Sequence, residues 1–202
     1  AFIKRFPTFK PQTEHVLALC FDLTDKKEET AKALNQMILD NGTHLTTGFV
    51  GTPYLLFALS ENGYAETAYD LLLQEGYPSW LYQVKMGATT MWEHWDGIKP
   101  DGSFWSADMN SFNHYAYGSV AQWLFEEAAG ILMTEDGLKI APKPSEKLGA
   151  FSAEYHSRFG KVFSKWEYDA EGKVHYTLEI PVSCPVTVNG ETKMLEKGTY
   201  TF

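Results

Sequence analysis

Between Gly87 and Tyr115 the chain gathers carboxylate, imidazole and indole side chains at close spacing: Gly87-Ala88-Thr89-Thr90-Met91-Trp92-Glu93-His94-Trp95-Asp96-Gly97, then Phe104-Trp105, then Ser111-Phe112-Asn113-His114-Tyr115. Glu93 stands between Trp92 and Trp95. A carboxylate with aromatic walls is partly desolvated, which raises its affinity for a proton and suits it to acid or base work near neutral pH. The same pattern also describes a surface glutamate whose neighbours pack on the domain, and composition alone does not choose. Glu93, His94, Asp96 and His114 are all possible metal ligands, but their spacing matches no standard site, so neither a metal nor a cofactor is expected. His114 is expected to head a helix, either as a histidine bonded to nearby backbone or as a hydrogen-bond donor to a polar ligand. Five of the six tryptophans fall in the stretch 80–123, and rings clustered in a loop-rich region suit stacking on sugars or flat ligands.

Other chemistries are excluded more firmly. There is no G-x-S-x-G elbow, no His-Glu-x-x-His, no phosphate-binding glycine loop and no Cys-x-x-Cys pair. Seventeen Lys and Arg against 26 Asp and Glu give a net charge of −9, the wrong sign for a nucleic acid or an anionic membrane as partner. The two cysteines, Cys20 and Cys184, are expected to be buried free thiols rather than a disulfide or a zinc site. No apolar run approaches a membrane span. The leading residues Ala1-Phe2-Ile3-Lys4-Arg5-Phe6-Pro7 lack the features of a signal peptide. With Ala1 in place of an initiator Met, an upstream targeting segment or domain stays open.

The elements that must position these residues come in two kinds. Up to about Ile131 the apolar spacing is helical. A first helix is expected over Thr13 to Phe21. A second is capped by Thr24-Asp25 with Glu28 completing a box, buries Ala31, Leu34, Met37 and Ile38, and stops at Asn41-Gly42. A third starts at Thr52-Pro53 and ends at Asn62-Gly63, and a fourth runs from Tyr64 to Glu75. Short and long helices follow over Ser79 to Lys85 and Tyr115 to Ala129. The segments 42–52 and 86–113 are long connections, which when ordered usually serve function. After Gly130 the period changes to 2. Strands are expected over 137–142, 150–156, 162–168, 174–178, 186–188 and 199–202, with Asn189-Gly190 as a two-residue hairpin turn. The division is accordingly all-α helical hairpins over residues 1–136 and a small antiparallel β-sandwich over 137–202.

Three segments in order resemble successive signatures of the bacterial α-L-rhamnosidases, glycoside hydrolase family 78: His44-Leu45-Thr46-Thr47-Gly48-Phe49-Val50-Gly51-Thr52-Pro53-Tyr54-Leu55, Ala88-Thr89-Thr90-Met91-Trp92-Glu93-His94-Trp95, and Ser111-Phe112-Asn113-His114-Tyr115-Ala116-Tyr117-Gly118. The resemblance extends from about Pro11 to Phe202. It implies a toroid of six helical hairpins followed by a β-sandwich, of which this chain looks like the second half of the (α/α)6 toroid plus the sandwich. It further implies an inverting glycosidase that removes terminal α-L-rhamnose. Glu93 is then the general base, His114 bonds rhamnose hydroxyls and Trp92 helps to wall the pocket. The family's general acid lies in an Asp- and Arg-rich motif in the first half, and nothing in this chain resembles it. A chain of this kind is expected to be soluble, to be catalytically silent alone, and to self-associate through the exposed faces of its half-toroid. Its partner is a rhamnose-containing glycan or glycoside, in whichever bacterial compartment. Another six-hairpin glycosidase, or a carbohydrate-binding protein without hydrolysis, remain the alternatives.

Overall fold

The computed structural model of the chain describes Arg5 and residues 8–202. The expectation for the leading stretch 1–7 lies, Arg5 apart, outside them. Backbone contacts divide the chain into two compact units, one up to Val120 and one over Ala121–Phe202.

The first unit is helical: α1 Gln12–Cys20, α2 Lys27–Asp40, α3 Thr52–Ser60, α4 Ala65–Leu72 and α5 Trp80–Lys85. α1 and α2 pair, as do α3 and α4, and α1 also packs on α3. α3 buries Leu55, Leu56, Ala58 and Leu59 around most of its circumference, the pattern of a helix enclosed by its neighbours. Val16 from α1, Leu34 and Ile38 from α2, and Tyr69 from α4 are likewise buried, each apolar side chain contributing about 1.5–3 kcal/mol on burial. Pro53 lies in the first turn of α3, and Gly42 and Gly63 take the left-handed conformation after α2 and α3, as the sequence predicts.

Three local expectations differ from the structure. The Asp25 to Glu28 box is not formed. α2 starts one residue late for it, at Lys27, leaving Lys26 at the cap without a side-chain bond, while the Thr24 hydroxyl accepts from the Lys26 N–H at 3.1 Å. α4 ends at Leu72 rather than Glu75 because Gln74 is drawn aside: its Nε2 donates to the Thr43 carbonyl at 3.2 Å and its Oε1 accepts from the Gly76 N–H at 3.0 Å. The long helix expected over 115–129 is a 3-10 turn at Ala116–Ser119, an α turn at Val120–Trp123 and a widened π turn at Leu124–Ala128.

The second unit holds eight strands: β1 Ile131–Thr134, β2 Gly137–Ile140, β3 Ala150–Ser157, β4 Gly160–Tyr168, β5 Val174–Ile180, β6 Cys184–Val188, β7 Glu191–Leu195 and β8 Gly198–Thr201. They form two four-stranded sheets, ordered β1-β2-β6-β7 and β3-β4-β5-β8. Asn189 and Gly190 both have positive φ, which is the turn geometry that joins β6 to β7 in a tight hairpin. Pairing is antiparallel throughout except between β2 and β6, where Ile140 meets Val186 in parallel. The purely antiparallel expectation is corrected there. β2 and β6 are separated by β3, β4 and β5, so no short hairpin dictates their direction. β1 begins at Ile131, six residues before the strand the sequence flags first, since Ile-Leu-Met-Thr has no alternation to mark it. Trp166 and Ser164 of β4 are fully buried and close off the π turn, donating to the Ala128 carbonyl at 2.7 Å and the Ala129 carbonyl at 2.6 Å. Those carbonyls would otherwise be buried acceptors without partners.

Candidate functional site: the Glu93 and His114 loops

The long connection after α5 folds back so that residues 90–93 run beside residues 111–114. The Glu93 N–H donates to the Ser111 carbonyl at 2.9 Å, and the Glu93 Oε2 accepts from the Ser111 N–H at 3.0 Å. The His114 N–H donates to the Met91 carbonyl at 2.8 Å, and the Thr90 hydroxyl to the Phe112 carbonyl. Glu93 and His114, 21 positions apart in sequence, therefore sit on adjoining strands of chain. Oε2 of Glu93 is engaged by Ser111, while Oε1 has no donor among the described residues. A half-buried carboxylate held through one oxygen and open at the other can accept a proton from a water placed at the free oxygen.

His114 is also fixed by its surroundings. Its Nδ1 accepts from the Ala116 N–H at 3.3 Å, so Nε2 is the ring nitrogen left to donate. Its ring stacks on Phe49 at 4.7 Å between centroids and 20° between planes. Phe49 belongs to the segment 42–52, the other long connection, so both connections converge on His114. That segment is gripped from α1: Gln12, which is buried, donates through Nε2 to the His44 carbonyl at 3.3 Å and accepts at Oε1 from the Thr46 N–H at 2.8 Å.

The tryptophans divide by role. Trp92 is only 3% exposed. Its ring meets Phe112 edge-on at 5.4 Å and lies against Gly97, where an added Cβ would come within 3.0 Å of Trp92 Cε3. Trp95 stacks on Tyr117 at 3.8 Å and meets Trp80 edge-on. Burial pushes the Tyr117 phenol up to about 12, with Tyr77, Glu93 and Asp96 adding to it, so Tyr117 stays neutral. Trp105, 42% exposed, lies flat on His94 at 3.6 Å. Among the described residues, no group of three or more His, Cys, Asp or Glu is arranged to hold a metal ion. Cys20 and Cys184 are free thiols, Cys184 buried and Cys20 half-buried.

The sequence pattern names Glu93, His114 and Trp92 but not their supports. Gln12 and Gln83 stand out only as amides among the inward positions of their helices, a legible signal because a buried amide must find partners. Phe49 lies within a flagged segment, yet its stacking on His114 follows from no periodicity.

The helical-hairpin unit thus carries a carboxylate and an imidazole on apposed loops among aromatic rings. Residues 7–128 match the family model described as the bacterial alpha-L-rhamnosidase 6 hairpin glycosidase domain, and residues 137–201 match the bacterial alpha-L-rhamnosidase C-terminal domain. The chain belongs to the bacterial α-L-rhamnosidase family. It is 41% identical over 175 residues to an alpha-L-rhamnosidase of Streptomyces avermitilis, covering 84% of this chain and 17% of the relative. It is 39% identical over 188 residues to one of Formosa agariphila, covering 91% and 20%. The crystal structure of Streptomyces avermitilis alpha-L-rhamnosidase complexed with L-rhamnose matches with a TM-score of 0.87 at 33% identity, over 94% of this chain and 21% of that one. The chain thus spans about a fifth of the length of these relatives. No helix among the described residues is long and apolar enough to cross a membrane.

Proposed function

We propose that this chain is the C-terminal part of a longer inverting α-L-rhamnosidase, supplying half of an (α/α)6 toroid and a C-terminal β-sandwich that starts near residue 137. In this reading Glu93 is the general base. The observation that carries it is the pairing of Glu93 with Ser111, which spends Oε2 on the backbone and leaves Oε1 for water. Inversion needs a carboxylic acid on the far side of the sugar, roughly 6.5–9.5 Å from the base so that water fits between. That acid belongs to the part of the enzyme outside this chain. His114 donates from Nε2 to rhamnose hydroxyls, and Trp92, buried behind the loop, backs the pocket wall.

Two consequences concern the 202-residue chain by itself. Without the acid and the opposite half of the pocket it turns over no rhamnoside, since leaving-group protonation alone contributes about 10²–10⁴-fold. Large apolar side chains stay exposed, Phe21, Leu39 and Val84 among them, and the proposed half-toroid would add the helix faces that meet its other half, an apolar patch of the kind that drives self-association. Light scattering that finds only monomer at high concentration removes the half-toroid interface from the proposal.

The test is hydrolysis by the full-length protein of p-nitrophenyl α-L-rhamnoside against other p-nitrophenyl glycosides, with NMR reading the anomer first released. Selective cleavage with inverted configuration is expected. Cleavage of a different glycoside, retention of configuration, or binding of rhamnose without hydrolysis overturns the reading.

A further inference from the structure

Three side chains of α5 reach into the loops that carry the candidate site. Ser79 caps α5, its hydroxyl accepting from the Tyr82 N–H at 3.0 Å. From the helix so fixed, the Trp80 indole N–H donates to the Tyr117 carbonyl at 2.9 Å and the Tyr82 hydroxyl to the Ile98 carbonyl at 3.1 Å. The third is Gln83, 2% exposed. Its Nε2 donates to the His94 carbonyl at 3.1 Å, and its Oε1 accepts from the Trp92 N–H at 3.3 Å.

Those two bonds bracket Glu93. One goes to the residue before it and one to the residue after it, so the Met91–Trp92 and His94–Trp95 peptide units, which enclose the segment Trp92-Glu93-His94, are tied to a single side chain. On its other edge Glu93 is tied to Ser111. A planar amide that donates and accepts at once cannot satisfy both bonds unless residues 92 and 94 keep their spacing. Apolar side chains of the same size would fill the space without imposing that spacing.

We infer that Gln83 is a positioning residue for Glu93, its buried amide setting where the carboxylate stands relative to the attacking water. The inference rests on the reading of Glu93 as general base. Gln83 touches no substrate in this scheme. Misplacing a reacting group by about 1 Å can cost on the order of 10²-fold in rate, so loss of the bracket falls on kcat while sugar binding through His114 is left in place.

The experiment compares Gln83→Met, Glu93→Gln and the double variant in the full-length enzyme, with hydrogen exchange of the segment 91–96 and melting curves alongside. Methionine keeps the volume and removes both hydrogen bonds. Gln83→Met is expected to lower kcat roughly 10- to 100-fold with KM changed less than about threefold, and to speed exchange in 91–96. In the Glu93→Gln background it should cost nothing further, because the group it positions is already disabled. An unchanged kcat in Gln83→Met, or an equal loss in both backgrounds, overturns the positioning role while Glu93 stands. Near-native kcat in Glu93→Gln overturns the base reading, and the positioning role with it. Should Gln83→Met fail to fold, Gln83→Asn, which keeps an amide too short to reach both partners, is held to the same two criteria.

Discussion

Glu93 and Ser111 form a closed two-bond ring: the Glu93 N–H donates to the Ser111 carbonyl at 2.9 Å, and the Ser111 N–H donates to Glu93 Oε2 at 3.0 Å. The side chain stands where a backbone carbonyl would stand in an antiparallel pair. One residue thereby both zips the two loops together and holds its own carboxylate at their seam.

Glu93→Gln retains an oxygen able to accept from the Ser111 N–H and so should keep the seam. In the full-length enzyme it is expected to lower kcat by about 10²–10⁴-fold with KM little changed. Steady-state kinetics on p-nitrophenyl α-L-rhamnoside decide it, and a kcat within a few-fold of native removes Glu93 from the proposed chemistry.

His114→Ala removes the Nε2 donor, the Nδ1 acceptor for the Ala116 N–H and the ring on Phe49. It should cost about 1–3 kcal/mol in kcat/KM. His114→Asn, which can restore part of the hydrogen bonding, should recover some of that loss. If both variants bind and cleave rhamnosides normally, His114 is only a structural residue of its turn.

Gly130→Ala should be among the most damaging single changes in the second unit. Gly130 has φ +69°, and a Cβ there would fall 2.0 Å from the Pro142 nitrogen, so backbone must move. A loss of more than about 3 kcal/mol is expected. Gly137 has φ +126° with nothing near its Cβ position, and Gly137→Ala should cost only the conformational strain, about 1–3 kcal/mol. Denaturant melts of the two variants give the comparison, and equal losses would show that the Pro142 contact is not what matters at Gly130.

Burial, with the charge of Glu61 adding, pushes the Cys20 thiol up to about 11. Since the thiolate is the nucleophile, Cys20 in the folded chain should react with iodoacetamide at pH 8 roughly two orders of magnitude more slowly than an unperturbed cysteine of pKa about 8.5. Raising the pH towards 11 should close the gap. Mass-spectrometric labelling of native and urea-unfolded protein reads it directly, and equal rates in the two states contradict the burial.

Local information in the chain was enough for most turns and helix ends, which depend on neighbours a few residues apart, although the Asp25 to Glu28 box did not form. Pro53 and the glycines at 42 and 63 mark helix ends because φ preferences act within one turn. Asn189-Gly190 marks a hairpin because only such residues take its positive φ values cheaply. Glu93, His114 and Trp92 were legible as candidates because chemically capable side chains cluster within three recognisable segments. Tertiary structure decided the rest. The break of the helix expected over 115–129, the parallel meeting of Ile140 with Val186, and the early end of α4 at Leu72 each turn on a partner dozens of residues away or on a whole intervening sheet. The same holds at the site. That Gln83 brackets Glu93, that Ser111 takes its Oε2, and that Phe49 stacks on His114 are matters of which groups meet after the long connections fold back. Periodicity carries no signal for such meetings, because a hydrogen bond between distant residues is chosen by the packing of the helices that bring them together.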